Sequence, residues 1–438
     1  MGTDIVLYML GLLIVLIVLG VHIAIALGVA SVLGVYLIFG SWDIALSLLG
    51  TTAYEAIRNQ VFAVIPLFVL MGDFVSKSGA AKDLYRLCDR TLRRLPGRLA
   101  VATVAGNAVF AAVTGVSIAS AATFSRIAYP EMRRLGYRKT YALGSVAGSA
   151  CLGMLIPPSV LLIVWAILTE MSVGALFVAG VVPGVLLALL FCAYCVFAAL
   201  RNPDLAPHTS ELLEEEKSPE ALRGEAIGGI GILALIILVI GGIWGGIFTP
   251  TEAAGFGALG ALALGIAKGM RGRDIMQAIF DAGKTTAPIM ILLIAASMYS
   301  RLLAMGGAVN VISGVFAGLD VAPIVLVLMM AGIWLLLGML IDSVSIILLT
   351  VPIFVPIAQI AGFDPFAFAI FGILVIEAGL LTPPFGLLVY TVKGSVPDPS
   401  VRLGEIFRGS VPYWIMILVI AFLVWLLPGT ATWLPGLM

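Results

Sequence analysis

Long apolar runs separated by short polar loops dominate the sequence. A helix needs about 20 mainly apolar residues to cross a bilayer. In the first half of the chain, runs of this kind lie near 5–21, 23–39, 61–76, 141–168 and 174–200. In the second half they lie near 226–248, 252–268, 285–305, 367–391 and 411–428. The pattern therefore predicts an all-α integral membrane protein with about five spans in each half.

The two halves of the chain repeat the same order of elements. With a shift of about 225 residues most predicted spans coincide within a few positions, and Pro157 and Pro383 are 226 residues apart. The amphipathic stretch WDIALSLLGTTAYEAIRNQ likewise has a counterpart, RDIMQAIFDAGKTTA. Internal duplication of this kind indicates a repeat architecture. We therefore predict a first repeat at 1–200, a cytoplasmic linker at 201–225 and a second repeat at 226–438.

Lysine and arginine in short loops indicate the orientation of the spans. These residues crowd the loops on both sides of an apolar segment at 98–125, so we predict that both of its ends are cytoplasmic and that it is a re-entrant hairpin. The flanks of a similar segment at 323–357 carry almost no lysine or arginine, which predicts a second hairpin that enters from outside. Five crossings plus one hairpin is an odd count per repeat, so the two repeats are predicted to be inverted.

Composition excludes several classes of function. Hydrophobic residues make up 61% of the chain and charged residues 11%, against roughly 25% charged in a soluble domain. The formal net charge is zero, so no basic surplus argues for nucleic acid, and the glutamates of the linker are interpreted as a solvated face. Two histidines nearly exclude a histidine zinc site, and AGKTT is no ATP site because Ala278 replaces the first glycine of a phosphate loop. No hydrolase motif is present, so we predict neither an enzyme nor a cofactor.

Two further motifs have a structural explanation. Cys192 and Cys195 form a CxxC, but it lies in a long apolar helix with no strand before it, which favours packing over redox chemistry. Thr249 is a natural helix N-cap, and Glu252 three residues later completes a capping box with Pro250 at the first helical position. A functional role for Glu252 stays open as the alternative.

Adjacent prolines interrupt one span in each repeat. A proline inside a helix removes a backbone donor and clashes with the preceding turn, and each unpaired backbone group costs several kcal/mol in hydrocarbon. Such a break is tolerated only where it lines a cavity or is buried in protein. Paired breaks in inverted repeats are typical of transporters, in which half-helix amides face an anion and freed carbonyls hold a cation such as Na⁺. A proline kink that only shapes packing is the alternative.

The hairpins carry short polar side chains of the kind that bind hard cations. The first offers Thr114, Gly115, Ser117 and Ser120 near its tip, and the second offers Asp342, Ser343 and Ser345. Asp342 is the sharpest candidate because a carboxylate at membrane depth costs roughly 2.5 to 3.5 kcal/mol, although an N-cap at the hairpin bend would also explain it. Glu377, just before the second break, is a weaker candidate because it could equally pair with a neighbouring helix.

Six motifs spread along the chain occur together. They are VIPLFVLMGDF at 64–74, TGVSIASAA at 114–122, YPEMRRLGY at 129–137, MLIPPSVLLI at 154–163, GGIFTPTEAA at 245–254 and GLLTPPFGL at 379–387. In combination they resemble the DctM-like large membrane subunit of tripartite ATP-independent periplasmic (TRAP) transporters. The resemblance implies an elevator-type secondary transporter of the ion-transporter superfold, in a bacterial inner membrane. It also implies a periplasmic substrate-binding protein and a separate small four-helix membrane subunit as partners. Both termini are predicted to be periplasmic.

The resemblance further implies where ions and substrate bind. One sodium site would include Thr114, Gly115, Ser117, Ser149, Ile156 and Pro157, and the other would include Asp342, Ser343, Ser345, Gly379, Thr382 and Pro383. The carboxylate of the substrate would lie between them, near Ser117, Ser343 and Thr382. Val116 stands where family members commonly show one serine of a pair, so backbone carbonyls would have to serve as ligands there.

The predicted function is Na⁺-coupled import of an organic acid, of the C4-dicarboxylate, sugar acid or keto acid class, by an elevator mechanism. In this mechanism the hairpins and broken helices move as one domain against a scaffold formed by the other spans. A facilitative pore without Na⁺ coupling is the alternative, and a membrane enzyme acting on lipid is disfavoured by the missing catalytic set.

Overall fold

A computed structural model describes residues 2–207, 219–307 and 322–438, and every regular element in these ranges is a helix or a helical turn. The helices of nine residues or more in the first half are Gly2–Val18, Ile23–Phe39, Trp42–Arg58, Val64–Lys77, Ala80–Thr91, Arg98–Thr114, Ser117–Arg134, Lys139–Ala150, Val160–Thr169 and Val173–Arg201. Those in the second half are Pro219–Ile236, Pro250–Ala267, Gly272–Met305, Pro323–Gly338, Ser343–Ile360, Pro365–Gly379, Leu387–Ser395 and Leu403–Leu426. The prediction of an all-α chain is confirmed for the described residues.

Seven helices within the described ranges are long and apolar enough to cross a membrane. They are Gln60–Lys77, Val173–Arg201, Gly224–Trp244, Pro250–Ala267, Gly272–Met305, Ser343–Ile360 and Leu403–Leu426. The first of these includes the 3₁₀ turn Gln60–Ala63, and the third continues beyond Ile236 through a π-helical turn. Large apolar side chains on these helices point outward, and Leu189 and Ile237 are 61% and 72% exposed. An extensive apolar surface on helices of this length is a surface for lipid rather than for water. The chain is a multi-pass membrane protein.

Two pairs of helices turn back on themselves at a short gap. Hairpin 1 consists of Arg98–Thr114 and Ser117–Arg134, and hairpin 2 consists of Pro323–Gly338 and Ser343–Ile360. The second helix of hairpin 1 extends well beyond the predicted limit at 125. The polar residues of its last turns suggest a loop in the sequence, but one face of the helix is buried there, since Met132 is covered while Arg134 is exposed.

Two predicted spans are interrupted at their prolines. Broken helix 1 consists of Lys139–Ala150 and Val160–Thr169, with a 3₁₀ turn at Cys151–Met154 and a non-helical gap between them. Broken helix 2 consists of Pro365–Gly379 and Leu387–Ser395. The bonds Pro157–Pro158 and Pro383–Pro384, both cis, lie in the two gaps. The interruptions therefore occur at equivalent positions of the two halves.

The two halves pack against each other in a reciprocal pattern. Ile23–Phe39 of the first half contacts Gly272–Met305 of the second, while the equivalent helix Pro250–Ala267 contacts Val64–Lys77 of the first. The second helix of hairpin 1 contacts the second part of broken helix 2, and the second helix of hairpin 2 contacts the second part of broken helix 1. Helices at equivalent positions of the two halves therefore make equivalent contacts with the opposite half.

Two ion pairs follow the same reciprocal relation. Lys77 Nζ of the first half lies 2.8 Å from Asp281 Oδ2 of the second, and Arg301 of the second half pairs with Glu55 of the first. Glu55 and Asp281 are 226 residues apart, so equivalent acids in the two amphipathic stretches each reach a base in the other half. Because these groups are partly exposed, the two ion pairs contribute little stability. They show that equivalent residues of the two halves make equivalent contacts.

The two amphipathic stretches differ in how they end. The first is a separate helix, Trp42–Arg58, whereas its counterpart is continuous with the next span in the 34-residue helix Gly272–Met305, about 51 Å long. The predicted start of a separate span at 285 was therefore wrong. Pro288 lies inside this long helix without ending it.

The linker between the halves is partly helical. Residues 208–218 of the predicted linker lie outside the described residues, and a helix begins at Pro219. Glu225 is 4% exposed and pairs with Arg86 at 3.1 Å and Arg90 at 2.8 Å. The interpretation of the linker glutamates as a solvated face was therefore wrong for Glu225, because the helix Ala80–Thr91 offers it two guanidinium groups.

Local structure accounts for two of the sequence motifs. The capping box is confirmed, since Thr249 N donates to Glu252 Oε2 at 2.8 Å and Glu252 N donates to Thr249 Oγ1 at 3.3 Å. Cys192 and Cys195 are free thiols, and Cys195 Sγ lies 3.2 Å from the hydroxyl of Tyr413 in the core. The capping box therefore stabilises the start of a helix, and the CxxC cysteines contribute to packing.

Candidate functional site

The carboxylate of Glu377 lies where both hairpin tips meet broken helix 2. Ser117 Oγ donates to Glu377 Oε2 at 2.7 Å, and Ser343 Oγ donates to Glu377 Oε1 at 2.8 Å. Glu377 is 1% exposed, and the two serines are equally well covered. Each serine is the first residue of the second helix of its hairpin. One buried carboxylate therefore holds both hairpins, and we call these three residues the Glu377 junction.

The Glu377 junction joins residues at equivalent positions of the two halves. Ser117 and Ser343 are equivalent residues, 226 positions apart. The equivalent of Glu377 is Cys151, and Cys151 Sγ lies 3.6 Å from the backbone oxygen of Glu377. The two broken helices therefore touch at this point. The two equivalent positions differ in charge, because one carries the carboxylate of Glu377 and the other carries the thiol of Cys151.

The tip of hairpin 1 is seated in the gap of broken helix 1. Gly115 turns the hairpin with φ of +64°, a region that favours glycine. Its carbonyl oxygen accepts a hydrogen bond from Val160 N at 3.1 Å. A Cβ at Gly115 would lie 2.5 Å from the backbone oxygen of Pro158. Glycine is therefore required here both by the backbone conformation and by the close approach of the proline gap.

Hairpin 2 approaches broken helix 2 through a pair of glycines. A Cβ at Gly379 would lie 2.7 Å from the Cα of Gly338, so the two backbones are in direct contact. Thr382 Oγ1 donates to the Gly379 oxygen at 2.7 Å and so covers one carbonyl beside the gap. Pro383 is exposed, whereas Pro157 in the first gap is buried. The second gap is thus the one that opens to the surroundings.

The remaining residues of the first predicted site surround a buried polar cluster. Thr114 Oγ1 donates to Phe110 O at 3.0 Å within hairpin 1. Ser149 Oγ donates to Ser145 O at 2.5 Å and accepts from Asn107 Nδ2 at 2.6 Å. Ile156 is half-buried beside the gap. Ser149 therefore contacts the first helix of hairpin 1 and not its tip.

Asn107 was not among the predicted site residues. Its Oδ1 atom and the Oγ atom of Ser120 are buried without a hydrogen-bond partner among the described residues. Such oxygen atoms suit a hard cation, which takes hydroxyl, amide and backbone oxygens. Within the described ranges no three His, Cys, Asp or Glu side chains come together as a metal site. An asparagine in an otherwise apolar hairpin helix is the signal that could have identified this position.

Asp342 occupies the N-cap of the second helix of hairpin 2. Its Oδ1 accepts from Ser345 N at 3.0 Å, and its Oδ2 accepts from Ser345 Oγ at 2.6 Å. The capping role that the sequence left open is therefore present. Each carboxylate oxygen keeps a second lone pair, so capping and cation binding are compatible. Val116, the equivalent residue of hairpin 1, makes no such cap.

Two substitutions at Asp342 separate its possible roles. We expect Asp342→Ala to abolish uptake while folded protein remains in the membrane, with a loss of about 1 kcal/mol from the missing cap. Asp342→Asn retains a good capping residue and removes only the charge, so we expect uptake to fall at least about tenfold with little change in melting temperature. Normal uptake by Asp342→Asn would reduce Asp342 to a helix cap.

The chain is similar to known transporter proteins over nearly its whole length. The family profile described as "Tripartite ATP-independent periplasmic transporter, DctM component" matches residues 10–430. The C4-dicarboxylate TRAP transporter large permease protein DctM of Pseudomonas aeruginosa is 32% identical over 386 residues, covering 87% of this chain and 88% of that protein. The ectoine TRAP transporter large permease protein TeaC of Halomonas elongata is 28% identical over 443 residues and covers 100% and 99%.

A longer relative and a solved structure add to these similarities. The isethionate TRAP transporter permease protein DctMQ of Oleidesulfovibrio alaskensis is 27% identical over 421 residues, covering 94% of this chain and 64% of that protein. The crystal structure of the Alcanivorax borkumensis YdaH transporter has a TM-score of 0.62 at 14% identity, covering 88% of this chain and 89% of that one. That likeness concerns the fold. Because the family match includes both hairpins, both breaks and the Glu377 junction, the chain belongs to the DctM family, the large permease of TRAP transporters.

Proposed function

We propose that this permease imports an organic acid together with Na⁺ and that the Glu377 junction couples the two. The observation that carries the proposal is the shared contact of both hairpin tips with one buried carboxylate. A carboxylate away from water is costly unless its charge is compensated. Two serine hydroxyls compensate it only in part, and no Lys or Arg bonds to Glu377 in the described part of the chain.

A cation near the junction would supply the missing compensation. The oxygen atoms available at the junction are those of Glu377, Ser117 and Ser343, and Ser120 Oγ is buried one turn further along the helix that Ser117 begins. A cation held by atoms from both hairpins stabilises the closed arrangement of the two tips. Binding of a substrate that requires the closed arrangement is then coupled to cation binding. By linkage, each ligand raises the affinity for the other.

The substrate site proposed here depends on the same residues. Ser117 and Ser343 begin their helices, so the amides at two helix N-termini face this region and favour an anion. Glu377 carries the same charge as an organic acid and repels it. A cation beside Glu377 would weaken that repulsion and free the serine hydroxyls, with Thr382, for the substrate carboxylate. This order makes Na⁺ binding a condition for substrate binding.

The elevator mechanism and the inverted repeat are part of the proposal. The exchanged contacts between the halves support a two-fold relation, and the odd number of crossings predicted per repeat requires inversion. The hairpins and broken helices contact one another at the Glu377 junction and at the glycine contacts, which supports their movement as one body. The predicted sodium ligands on both sides, including Pro157 and Pro383, would move with it.

The proposed partners follow from the family. We propose that a periplasmic binding protein delivers the substrate and that a separate small membrane subunit completes the complex in a bacterial inner membrane, with both termini of this chain periplasmic. The DctMQ relative is longer than the matched region, which is consistent with an additional membrane segment in that protein. The names of the relatives include a dicarboxylate and ectoine, so the substrate class has to be tested across several acids.

Uptake into proteoliposomes tests the proposal directly. The permease is reconstituted with its small subunit and binding protein, and accumulation of dicarboxylates, sugar acids and keto acids is measured with an inward Na⁺ gradient. We expect accumulation above the external concentration for one class, and its loss when K⁺ replaces Na⁺. Equilibration without accumulation, indifferent to Na⁺, would instead favour the facilitative pore.

A further inference from the structure

A basic cavity of about 550 Å³ lies between the helix Ala80–Thr91 and the two ends of hairpin 1 that are opposite its tip. Six basic side chains line it: Lys82, Arg86, Arg90, Arg93, Arg98 and Arg134. Tyr85 and Ile127 contribute apolar surface to the wall. The cavity is far from the Glu377 junction along both hairpin helices, because it is formed where these helices begin and end. We call it the basic cavity.

The basic cavity has an excess of positive charge. Arg98 Nε lies 3.4 Å from Asp89 Oδ1, and Arg134 pairs with Glu131 at 2.5 Å. Glu225, which does not line the cavity, pairs with Arg86 and Arg90. Six bases against three acids leave three positive charges in excess. Lys82 and Arg93 make no ion pair in the part of the chain that the structure describes, so the cavity has charge available for an anion.

The surroundings of the basic cavity favour an anionic lipid as its ligand. Glu225, which pairs with two of the arginines, lies on the helix Pro219–Ile236. Two and five residues later, on the other side of this helix, Ile227 and Ile230 are 41% and 62% exposed on its apolar, outward-facing surface. One side of this helix therefore pairs with arginines of the cavity, while its other side faces outward with apolar side chains, which places the cavity next to the hydrocarbon-facing surface. Basic pockets between membrane helices on the cytoplasmic side bind phosphate headgroups of anionic lipids.

We propose that the basic cavity binds the phosphate headgroup of an anionic phospholipid from the cytoplasmic leaflet. Lys82 and Arg93 on one side and Arg134 on the other would contact the phosphate. Since Arg134 ends hairpin 1 while Lys82 lies on the preceding helix, the lipid would hold the outer end of the hairpin against that helix. Free phosphate compounds share the same chemistry, and the experiment below distinguishes them from lipid.

Lipid binding to the purified full-length permease tests this site without any transport measurement. The protein in zwitterionic detergent receives phosphatidylglycerol or phosphatidylcholine, and binding is followed by native mass spectrometry and by the shift in melting temperature. We expect phosphatidylglycerol to bind and to raise the melting temperature more than phosphatidylcholine does. In Lys82→Gln/Arg93→Gln we expect the affinity for phosphatidylglycerol to fall roughly 30-fold.

A matched double variant controls for total charge. Arg201 and Lys284 are exposed basic residues outside the cavity, and Arg201→Gln/Lys284→Gln is expected to bind phosphatidylglycerol as the unaltered protein does. An equal loss in both double variants would overturn the proposal, because it would indicate general surface attraction. Displacement of the lipid by glycerol phosphate at equal concentration would also overturn it, in favour of a soluble anion. Neither result bears on Na⁺ coupling, which is measured separately.

Discussion

Replacement of Glu377 by glutamine is expected to reduce Na⁺-driven uptake by roughly 100-fold. Hydrogen bonds to a charged group contribute about 1.5 to 3 kcal/mol each, and a tenfold change corresponds to about 1.4 kcal/mol. Glutamine has nearly the same size but no charge, and one of its two polar atoms is a donor that cannot accept from a serine. The variant therefore weakens the contact with one hairpin tip and removes the attraction for a cation. Initial uptake rates over a series of Na⁺ concentrations measure both effects.

A carboxylate elsewhere on the chain provides the control for this substitution. Glu252 is an acidic residue in a helix capping box, and glutamine is accepted at that position of the box. We expect Glu252→Gln to transport at the normal rate with the normal dependence on Na⁺. Unchanged uptake by Glu377→Gln, with both hairpins intact, would contradict the role of the junction.

Replacement of Gly115 by alanine is expected to stop transport almost completely. The residue has φ of +64°, where a side chain costs roughly 1 to 2 kcal/mol. The added Cβ would also lie 2.5 Å from the backbone oxygen of Pro158, which has no flexible side chain that could move aside. The hairpin tip then cannot stay seated in the gap of broken helix 1. Uptake and melting temperature measured on the same preparation report the effect.

The same substitution at Gly40 distinguishes backbone strain from the steric clash of the added Cβ. Gly40 also has a positive φ, +69°, at the end of the helix Ile23–Phe39, but a Cβ there would meet no atom of the described residues within 4 Å. We expect Gly40→Ala to lower the melting temperature moderately through backbone strain and to leave uptake near normal. If Gly115→Ala transported as well as Gly40→Ala, the close contact between tip and gap would have no functional importance.

Much of the architecture could be predicted from the sequence because it depends on local patterns. Apolar run length fixes the membrane class, and the paired prolines mark Pro157 and Pro383 as interruptions irrespective of the rest of the fold. The capping box at Thr249 and Glu252 is a contact between residues three apart, so it is readable from spacing alone. Helix ends at charged turns were less predictable, as the extension of hairpin 1 to Arg134 demonstrates.

The centre of the candidate site could not be predicted in the same way. Ser117 and Glu377 are 260 residues apart in the chain, and no local pattern indicates that they form a hydrogen bond. Asp342 has the stronger local signal because it stands at a bend, yet the structure gives it a contact with Ser345 only three residues away. Glu225 was misjudged for a related reason, since the arginines that bury it belong to a distant helix.

The most direct test of the account is equilibrium binding of Na⁺ to the purified permease. Na⁺ at about 100 times its Kd stabilises the folded state by about 2.7 kcal/mol, so a titration monitored by melting temperature detects it. The account predicts that Na⁺, and not K⁺ at equal ionic strength, raises the melting temperature of the unaltered protein, and that Glu377→Gln loses most of this rise. An equal response to both ions, or a full Na⁺ response in Glu377→Gln, would contradict it.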